Sequence, residues 1–264
     1  MTSPIPTAQF ASVVYGEDVP LDDPAERFHE AAKLYPCSAG RQMSGVALLA
    51  RNAALQQSVE RAGRRFSHLP SHALPEPRWP TTTLPQALRS RRSLPPAAGS
   101  RIDLADLATV LAATNGLSEH PGRRHTPSGG ALYPLELYAI AREVEGLPAG
   151  IYHFDPHTTG LEQLSPEIDD VEECLVDAST AEDSAAILVV SGVFWRSRFK
   201  YGLRGYRFAL LEAGHAIQNA VLVATALELA ALPVGGYYDA RIESLLGIDG
   251  VNESALYLLA LGRP

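Results

Sequence analysis

The sequence predicts a mixed fold of strands and helices, α/β or α+β, rather than a helical bundle. Three apolar segments predict strands, LELYAIA, GIYHFDP and AAILVVSGVF, and the last is apolar enough to be central. SALYLLALG predicts a final strand. Helical segments are interleaved with these strands, and that interleaving is typical of a sheet covered by helices.

The helices are predicted from capping residues and apolar periodicity. DPAERFHEAAKLY offers Asp23 as N-cap and Pro24 at the first helical position. TLPQALRSRRS predicts a short helix that runs into a basic turn, and RIDLADLATVLAATNG predicts a longer one between Asp103 and Gly116. The longest helix is expected from about Tyr206 to Ala230.

A proline-rich stretch divides the chain. Between Ser67 and Pro85 the prolines remove backbone donors and exclude a continuous helix, which predicts an extended connector with a boundary near residue 80. We therefore expect an N-terminal helical and Pro-rich extension over residues 1–80 and the main domain over residues 81–264.

Charge and cysteine content exclude several functional classes. The chain of 264 residues has 30 Asp and Glu against 22 Lys and Arg, a net charge of −8 that disfavours nucleic-acid binding. Its two cysteines, Cys37 and Cys174, are far apart, which fits a reducing cytoplasm. The longest mostly apolar run, Ala220 to Leu232, is short of the roughly 20 residues that a membrane span needs.

Common catalytic and metal motifs are missing from the sequence. FHEAAKL has Lys33 where a zinc-protease helix needs its second histidine, so we predict no metal site. His153 and His157 flank a turn and are interpreted as surface histidines. Neither GxSxG, GxGxxG nor GxxxxGK[ST] occurs, which disfavours hydrolase, Rossmann and P-loop functions.

Three short segments are candidate ligand-binding elements. LRSRRS, which contains Arg91, Arg92 and Ser93, could hold a phosphate through charge-assisted hydrogen bonds, or could be a solvated turn. PSGG, residues 127–130, offers backbone amides and a hydroxyl, or is a plain turn. LPVGGYYD repeats the Gly-Gly pair after the long helix, or only ends that helix. Together the three favour a flat, phosphorylated ligand.

Two further segments carry reactive or buried polar groups. WRSRFKYGLRGYRF contains Lys200 beside Tyr201, and burial near arginines would lower the pKa of such a lysine and make it a usable general base. The alternative is an ordinary surface lysine. Binding of RNA by stacking of its bases on the aromatic residues is disfavoured by the net charge. LLEAGHAIQN places four polar residues on one helix face. This face could line a site, but we prefer the interpretation that it forms hydrogen bonds with another helix at a dimer interface. These four residues are Glu212, His215, Gln218 and Asn219.

Taken in order, the segments RRS, PSGGALYPLELY, GIYHFDP, KYGLRGYRFALLEAGHAIQN, LPVGGYYD and LYLLALGRP resemble the nitroreductase-like FMN-dependent family over residues 82 to 264. The resemblance is to its SagB-type branch, which includes thiazole and oxazole dehydrogenases. It implies an α+β fold with a central, mostly antiparallel sheet flanked by helices, in an intertwined homodimer with FMN at the subunit interface.

The resemblance also implies roles for individual residues. The FMN phosphate or ribityl chain would be held by Arg91, Arg92 and Ser93, with Arg263 available for the phosphate contact that many nitroreductases make beyond the last strand. The flavin would be contacted from the other subunit by Pro127, Ser128 and Gly129. Its isoalloxazine ring would lie against Gly235 and Gly236. Proton abstraction would be assigned to Lys200 and Tyr201.

The function implied is oxidation of a thiazoline or oxazoline ring to the aromatic azole, with hydride passed to FMN and Lys200 acting as base. The substrate would be an azoline-containing peptide or carrier-bound molecule, and a cyclodehydratase is the expected partner. Alternatives are an NAD(P)H-dependent nitro or quinone reductase, or a flavin-binding scaffold subunit of a cyclodehydratase complex. A reductase with a ping-pong mechanism needs no dedicated base, so the Lys-Tyr pair favours the dehydrogenase.

Overall fold

The chain divides into two compact units, Met1–Gln42 and Met43–Pro264. The computed structural model describes residues 23–37, 39–60, 62–168 and 171–264. The first unit contains helices α1 (Pro24–Ala31) and α2 (Ala39–Gln42). Asp23 caps α1 as predicted, because its side chain accepts a hydrogen bond of 2.7 Å from a backbone amide of the first turn.

The second unit contains two helices followed by a sheet with helices on its faces. Its elements in chain order are α3 (Ser44–Arg51), α4 (Ala53–Glu60), β1 (Ser71–Ala73), α5 (Leu84–Ser90), β2 (Ile102–Asp103), α6 (Leu104–Asn115), β3 (Leu135–Ala141), β4 (Val144–Glu145), β5 (Gly150–Asp155), β6 (Gly160–Ser165), β7 (Ala186–Val193), α7 (Trp195–Tyr201), α8 (Leu203–Ala226), β8 (Ala230–Val234), α9 (Asp239–Leu246) and β9 (Glu253–Gly262). Within the described segments, no helix combines the length and apolar character that crossing a membrane requires.

The main sheet has seven strands in the order β1-β6-β5-β3-β7-β9-β8, and every neighbouring pair is antiparallel. The predicted mostly antiparallel sheet is therefore confirmed. Strand β7, predicted to be central, is paired on both sides, with β3 and β9. A separate parallel pair joins β2 to β4.

Both faces of the sheet are covered, as the alternation of β3 shows. Leu135 and Leu137 point to the face on which α6 and α8 pack, whereas Tyr138 and Ile140 point to the face covered by α9. All of these side chains are almost fully buried. Since successive side chains of a strand alternate between faces, β3 supplies both halves of the core.

The compact unit extends further towards the N-terminus than residue 80, where the prolines predicted a boundary. Strand β1 lies inside the proline-rich connector and pairs with β6 at the edge of the main sheet. Its flanks are tied down as well, since Gln163 N donates to Pro70 O at 2.8 Å and Leu74 N donates to Thr159 O at 3.1 Å. An edge strand needs donors on one side only, so prolines beside it do not prevent pairing.

The long helix ends earlier than predicted. We expected it to reach Ala230, but α8 stops at Ala226 and the chain enters β8, which pairs with β9. Glu228 has a φ of +59°, a left-handed conformation that stops a helix. Because this residue is not a glycine, no helix-stop signal was visible in the sequence. The Gly-Gly pair at 235 and 236 therefore follows a strand and not a helix.

Candidate functional site

Lys200 and Tyr201 lie at the end of α7, where the chain breaks before α8. Gly202, with a φ of +55°, separates the two helices. Lys200 Nζ lies 5.0 Å from the centroid of the Tyr201 ring, and the Tyr201 ring packs edge-on against Phe208 of α8 at 5.1 Å. Both members of the pair are half-buried. The adjacent amine and phenol are therefore held by ring packing and remain accessible.

The PSGG turn meets this pair directly. Gly130 has a φ of +70°, and a Cβ added there would overlap the Tyr201 hydroxyl and lie 2.7 Å from Lys200 Nζ. A Cβ at Gly129 would lie 3.0 Å from the ring of Phe208. The two glycines therefore have a function within the chain: they let the backbone approach the Lys-Tyr pair. We call Lys200, Tyr201 and the turn Ser128–Gly130 the Lys-Tyr site.

The turn is held in an unusual backbone conformation. Besides Gly130, the non-glycine residues Ala131 and Tyr133 have φ values of +55° and +45°. The Tyr133 amide donates to Ser128 Oγ at 2.9 Å, and its hydroxyl accepts from the Arg124 amide at 3.3 Å. Such strain persists only where the surroundings enforce it, and it is concentrated at functional sites.

Glu212 of α8 is buried, and it lines the same cavity as Ser128 of this turn. Its Oε2 has no hydrogen-bond partner among the described residues. Burial raises the pKa of Glu212 to about 7, although Ser128 and Arg124 oppose the shift. The carboxyl lies in a cavity of about 270 Å³, and the lining residues are Pro127, Ser128, Gly129, Phe208, Leu211, Glu212 and His215.

The four polar residues of α8 do not share one environment. Asn219 points inward with Glu212, and it donates to Ala113 O at 3.3 Å and Thr126 Oγ1 at 3.1 Å. His215 and Gln218 are exposed. Residues three and seven apart share a helix face, so His215 lines the same cavity as Glu212, whereas Gln218 at the sixth position is turned further away. The predicted polar face therefore includes Glu212, His215 and Asn219 but not Gln218, and its place at a dimer interface stays a prediction.

A second group of predicted residues lies along β8. Arg91 follows α5 and its Nη1 donates to Ser93 Oγ at 3.5 Å, while Arg92 and Ser93 are exposed. Leu94 N donates to Ala231 O at 3.2 Å, which ties this segment to the strand. The segment 91–93, β8 and the following Gly235 and Gly236 form what we call the arginine edge.

The glycines at the end of the arginine edge are exposed. A Cβ at Gly235 would meet no atom within 4 Å, and one at Gly236 would meet only Val176 at ordinary contact distance. Neither residue has a positive φ. Packing within the chain therefore does not require glycine at 235, in contrast to Gly130, and the surface there is open to a flat ligand.

Arg263 lies close to the arginine edge but is engaged elsewhere. Its carbonyl accepts from Ala97 N at 2.9 Å, and its Nη2 donates to Asp106 Oδ2 at 3.0 Å. Its side chain is 44% exposed. A contact between this guanidinium and a phosphate would compete with the Asp106 ion pair.

His153 is not the surface histidine that the sequence predicted. It is fully buried in β5, with Nε2 2.9 Å from Glu136 Oε2 and Nδ1 2.9 Å from Glu162 Oε2. Burial alone would lower the pKa of His153, but the hydrogen bonds of the two carboxylates outweigh burial and raise it. The imidazole is therefore held protonated and donates from both nitrogens. No sequence pattern predicts this cluster, because its members come from three strands.

The carboxylate cluster anchors α7. Glu136 Oε1 accepts from Arg196 Nη2 at 2.5 Å and from the backbone amide of Arg64 at 2.7 Å. Burial would raise the pKa of Glu136, but the bond to His153 and the charge of Arg196 lower it to about 2. Arg196 lies one helical turn before Lys200, so the ion pair fixes the helix that carries the lysine.

The residues before the proline-rich connector also pack on this helix. A Cβ at Gly45 of α3 would overlap the carbonyl oxygen of Phe199 and lie 2.6 Å from Lys200 Cα. The glycine thus allows α3 to approach the backbone of α7 closely.

Within residues 23–37, 39–60, 62–168 and 171–264, no cluster of three or more His, Cys, Asp or Glu could hold a metal ion.

The chain is similar to known proteins of one family. The model of the nitroreductase family matches residues 88–263. MJ1384 of Methanocaldococcus jannaschii, named for the same family, is 34% identical over 184 residues, 68% of this chain and 90% of that protein. The microcin B17-processing protein McbC of Escherichia coli is 36% identical over 144 residues. That match covers 50% of this chain and spans about half the length of McbC, 52%.

Solved structures show the same fold. The Escherichia coli microcin synthetase McbBCD complex, with truncated pro-MccB17 bound, includes a chain that matches with a TM-score of 0.59 and 26% identity, over 92% of this chain and 94% of that one. A nitroreductase from Desulfovibrio desulfuricans, described in complex with FMN, matches in fold with a TM-score of 0.50 and 20% identity. The match covers 69% of this chain and 87% of that one.

Proposed function

We propose that this chain, which belongs to the nitroreductase family and to its SagB-type branch, is an FMN-dependent dehydrogenase. Its proposed reaction is the oxidation of thiazoline or oxazoline rings of a peptide to azoles. The observation that carries the proposal is the seating of Lys200 and Tyr201 against Gly130. A flavin reductase that only exchanges hydride with its substrates does not need such a base.

The residues of the arginine edge fit FMN in their chemistry. Two guanidinium groups and a hydroxyl at 91–93 match a phosphate, for which bidentate arginine contacts are well suited. The strand β8 leads from there to Gly235 and Gly236, which would lie against the flavin ring. Arg263 would contribute to the phosphate contact only by leaving Asp106.

The turn Pro127–Gly129 would close the site from a second copy of the chain, in a homodimer. It forms one wall of the cavity at the surface of α8, next to the exposed Leu211. An interface here would place the Lys-Tyr site of one subunit beside the arginine edge of its partner. Both halves of the proposed site would then come from different copies.

In the proposed reaction the azoline loses a proton and a hydride, and the ring becomes aromatic. FMN, when bound, supplies the hydride acceptor. Lys200 Nζ takes the proton from the ring carbon next to the carbonyl, and the hydroxyl of Tyr201 assists beside it. The protein's contribution is therefore to hold the base and orient the ring, since the redox chemistry belongs to the cofactor.

The proposed substrate is a peptide that already carries azolines, and the proposed partner is the cyclodehydratase that makes them. The support is similarity to McbC and to a chain of the McbBCD complex, which was solved with a peptide bound. We also propose that the protein acts in the cytoplasm, where such a peptide would be made.

The test is oxidation of defined peptides by the FMN-loaded protein. Synthetic peptides with one thiazoline or one oxazoline are incubated with enzyme in air, and mass spectrometry follows the loss of two hydrogen atoms. We expect conversion of at least one peptide. Rapid bleaching of the flavin by NADPH without azoline oxidation would instead support a nitro or quinone reductase. A protein that takes up no FMN would support a scaffold subunit.

A further inference from the structure

Arg124, in the loop after α6, is buried without an ion pair. It is only 6% exposed, and among the described residues no carboxylate oxygen lies within 4.0 Å of its guanidinium. The charges of Glu136 and Glu212 act on it only from further away. Buried charges in proteins are normally paired with an opposite charge, so this guanidinium has to be satisfied by other groups.

Uncharged groups from three parts of the chain surround the guanidinium of Arg124. Its Nη1 donates to Asn115 Oδ1, at the end of α6, at 2.7 Å, and its Nη2 donates to Ala62 O, in the segment before β1, at 2.6 Å. Its Cζ lies 5.0 Å from the centroid of the Tyr133 ring, within the range of a cation–π contact. The planar fork of an arginine can make all of these contacts at once, whereas the compact ammonium of a lysine cannot.

Tyr133 connects this arginine to the turn of the Lys-Tyr site. Its amide donates to Ser128 Oγ at 2.9 Å, which joins the two ends of the turn, and its hydroxyl accepts from the Arg124 amide at 3.3 Å. Its φ of +45° is unfavourable for a tyrosine and persists only where the surroundings enforce it. Arg124 contacts Tyr133 through both its backbone and its side chain, and it therefore supplies part of that enforcement.

The turn, held at Tyr133, meets the Lys-Tyr pair. A Cβ added to Gly130 would overlap the Tyr201 hydroxyl and lie 2.7 Å from Lys200 Nζ, so the backbone of the turn packs against both side chains. The helix α7 is connected to the same tyrosine, since Arg196 Nη1 donates to Tyr133 O at 3.5 Å. A turn that relaxed at Tyr133 would withdraw from the pair and leave the amine and the phenol free to change position.

We propose that Arg124 is a positioning residue of the Lys-Tyr site: its guanidinium ties the segment before β1 and the end of α6 to Tyr133, and this keeps the turn against Lys200 and Tyr201. The inference rests on the proposed function, because it gives Lys200 the role of base. It also gives the residues before β1 a part in the site, since one of the two shortest bonds of Arg124 goes to Ala62.

Amide hydrogen exchange of the full chain tests the hold on the turn. In Arg124→Met the amides of residues 128–133 should exchange about tenfold faster or more, as expected for loss of hydrogen bonds made by a charged group, while β7 stays protected. Arg124→Lys keeps the charge but not the fork, and it should show nearly the same increase. Arg123→Met, at the exposed neighbouring arginine, is the matched control and should leave the turn unchanged.

Unchanged exchange of the turn in Arg124→Met would overturn the proposal. If that variant does not fold, Tyr133→Leu removes the ring and the hydroxyl but leaves Arg124 its bonds to Asn115 and Ala62. It should give the same faster exchange of the turn, and wild-type exchange in this variant would overturn the proposal equally.

The position of Lys200 has a readout of its own, because Lys33 is the only other lysine in the chain. Reductive methylation with isotope-labelled methyl groups gives one NMR signal for each lysine besides that of the terminal amine, and Lys33→Arg assigns them. The Lys200 signal is sensitive to the Tyr201 ring, whose centroid lies 5.0 Å from Nζ. It should move in Arg124→Met and stay in place in Arg123→Met. A Lys200 signal that stays in place although the turn is loosened would leave Arg124 a structural role only.

Kinetics with the thiazoline peptide supply the last readout. The kcat of Arg124→Met should fall about tenfold to a hundredfold with KM unchanged, because small misplacements of a reacting group cost this much. Tyr133→Leu combined with it should cost no more than the larger single loss, since both act through one contact. Additive losses, or a raised KM with kcat unchanged, would contradict the positioning role.

The exchange and NMR measurements need no turnover, so they separate this inference from the proposed function. A wild-type protein that oxidises no azoline refutes the proposed function, and the two measurements still decide whether Arg124 holds the turn and the lysine.

Discussion

At the scale of single residues, Gly130 lets the turn come close to the Lys-Tyr pair. It satisfies two requirements at once, a left-handed φ and the close approach of Tyr201 and Lys200. Any other residue at this position would adopt an unfavourable φ, and its Cβ would overlap the side chains of Tyr201 and Lys200. The PSGG motif, which the sequence analysis interpreted as a ligand loop, therefore also contacts the side chains of the Lys-Tyr pair.

Replacing Gly130 with alanine should displace the Lys-Tyr pair. We expect Gly130→Ala to lower kcat for azoline oxidation by about a hundredfold, because small misplacements of reacting groups cost this much. Gly122→Ala is a matched control: Gly122 has a similar φ of +68°, but a Cβ there would meet nothing within 4 Å. Steady-state kinetics of both variants check the prediction, and equal losses would contradict it.

Lys200 is one of only two lysines in the chain, the other being Lys33. We expect Lys200→Ala to retain FMN but to lose about a hundredfold to ten-thousandfold in kcat, the usual contribution of a general base. Lys33→Ala should have wild-type activity. The flavin absorption spectrum reports binding and peptide mass reports turnover. A Lys200→Ala protein with wild-type turnover would remove lysine from the mechanism.

At the scale of elements, α7 is positioned by buried charges rather than by its own length. This helix of seven residues carries Lys200, and Arg196 joins it to Glu136 of β3. Glu136 is in turn held by the protonated His153 of β5. Glu136 Oε1 also accepts a hydrogen bond from the backbone amide of Arg64. The sheet therefore fixes both α7 and the chain segment before β1.

Removing His153 should destabilise the protein in a pH-dependent way. Its pKa is raised above the ordinary 6.5 in the folded state, so its stabilisation is complete below about 6.5 and is lost as the pH rises through the raised value. We expect His153→Gln to lower the unfolding free energy by about 3 to 5 kcal/mol near pH 6, because it leaves two buried carboxylates facing each other. The loss should be smaller near pH 9.

Urea unfolding of both proteins at the two pH values measures this difference. His68→Gln, at an exposed histidine, is the control. A loss that is the same at both pH values would mean that the imidazole is not held protonated.

The arginine edge should govern cofactor affinity. We expect Arg92→Ala to weaken FMN binding by about tenfold to a hundredfold, the effect of one charge-assisted hydrogen bond. Arg89→Ala is the control, since Arg89 lies on the same helix and its Nε donates to Pro85 O. Quenching of free FMN fluorescence measures both affinities. Equal weakening in the two variants would indicate only a general charge effect.

At the scale of the whole molecule, exposed apolar side chains mark the surface that a second copy would cover. Leu203, Leu210 and Leu211 of α8 and Trp195 of α7 are all at least 40% exposed, and Leu211 lines a cavity together with Ser128 and Gly129 of the Lys-Tyr site. Exposed apolar patches are typical of interaction surfaces. In the proposed homodimer they would be buried, and the FMN site would be completed at the same time.

Dimerisation and FMN binding should therefore be linked. We expect Leu211→Glu to shift the protein towards monomer and to weaken FMN binding with it, because the partner's turn no longer closes the site. Val251→Glu introduces the same charge at a side chain that is 76% exposed in a distant part of the chain sequence. Sedimentation velocity with FMN absorbance detection checks both. A monomeric Leu211→Glu protein with full FMN affinity would contradict the shared site.

The strands and the short helices could be predicted because their signals are local. The segments LELYAIA and GIYHFDP contain β3 and β5 as predicted, and Asp103 and Gly116 are the N-cap and C-cap of α6 as expected. The order of the motifs, which is a property of the sequence alone, predicted the family. Strand β8 and the end of α8 were missed, because a left-handed glutamate, Glu228, carries no stop signal.

The sequence by itself determined the chemistry that is available: an amine beside a phenol, arginines beside a serine, and glycines where backbone must come close. Only the tertiary structure decided which of these groups meet. It brought Gly130 to Lys200, buried His153 between two carboxylates and placed Glu212 and Ser128 at one cavity. The physical reason is that burial and ionisation depend on neighbours from distant strands and helices, which local propensities do not encode.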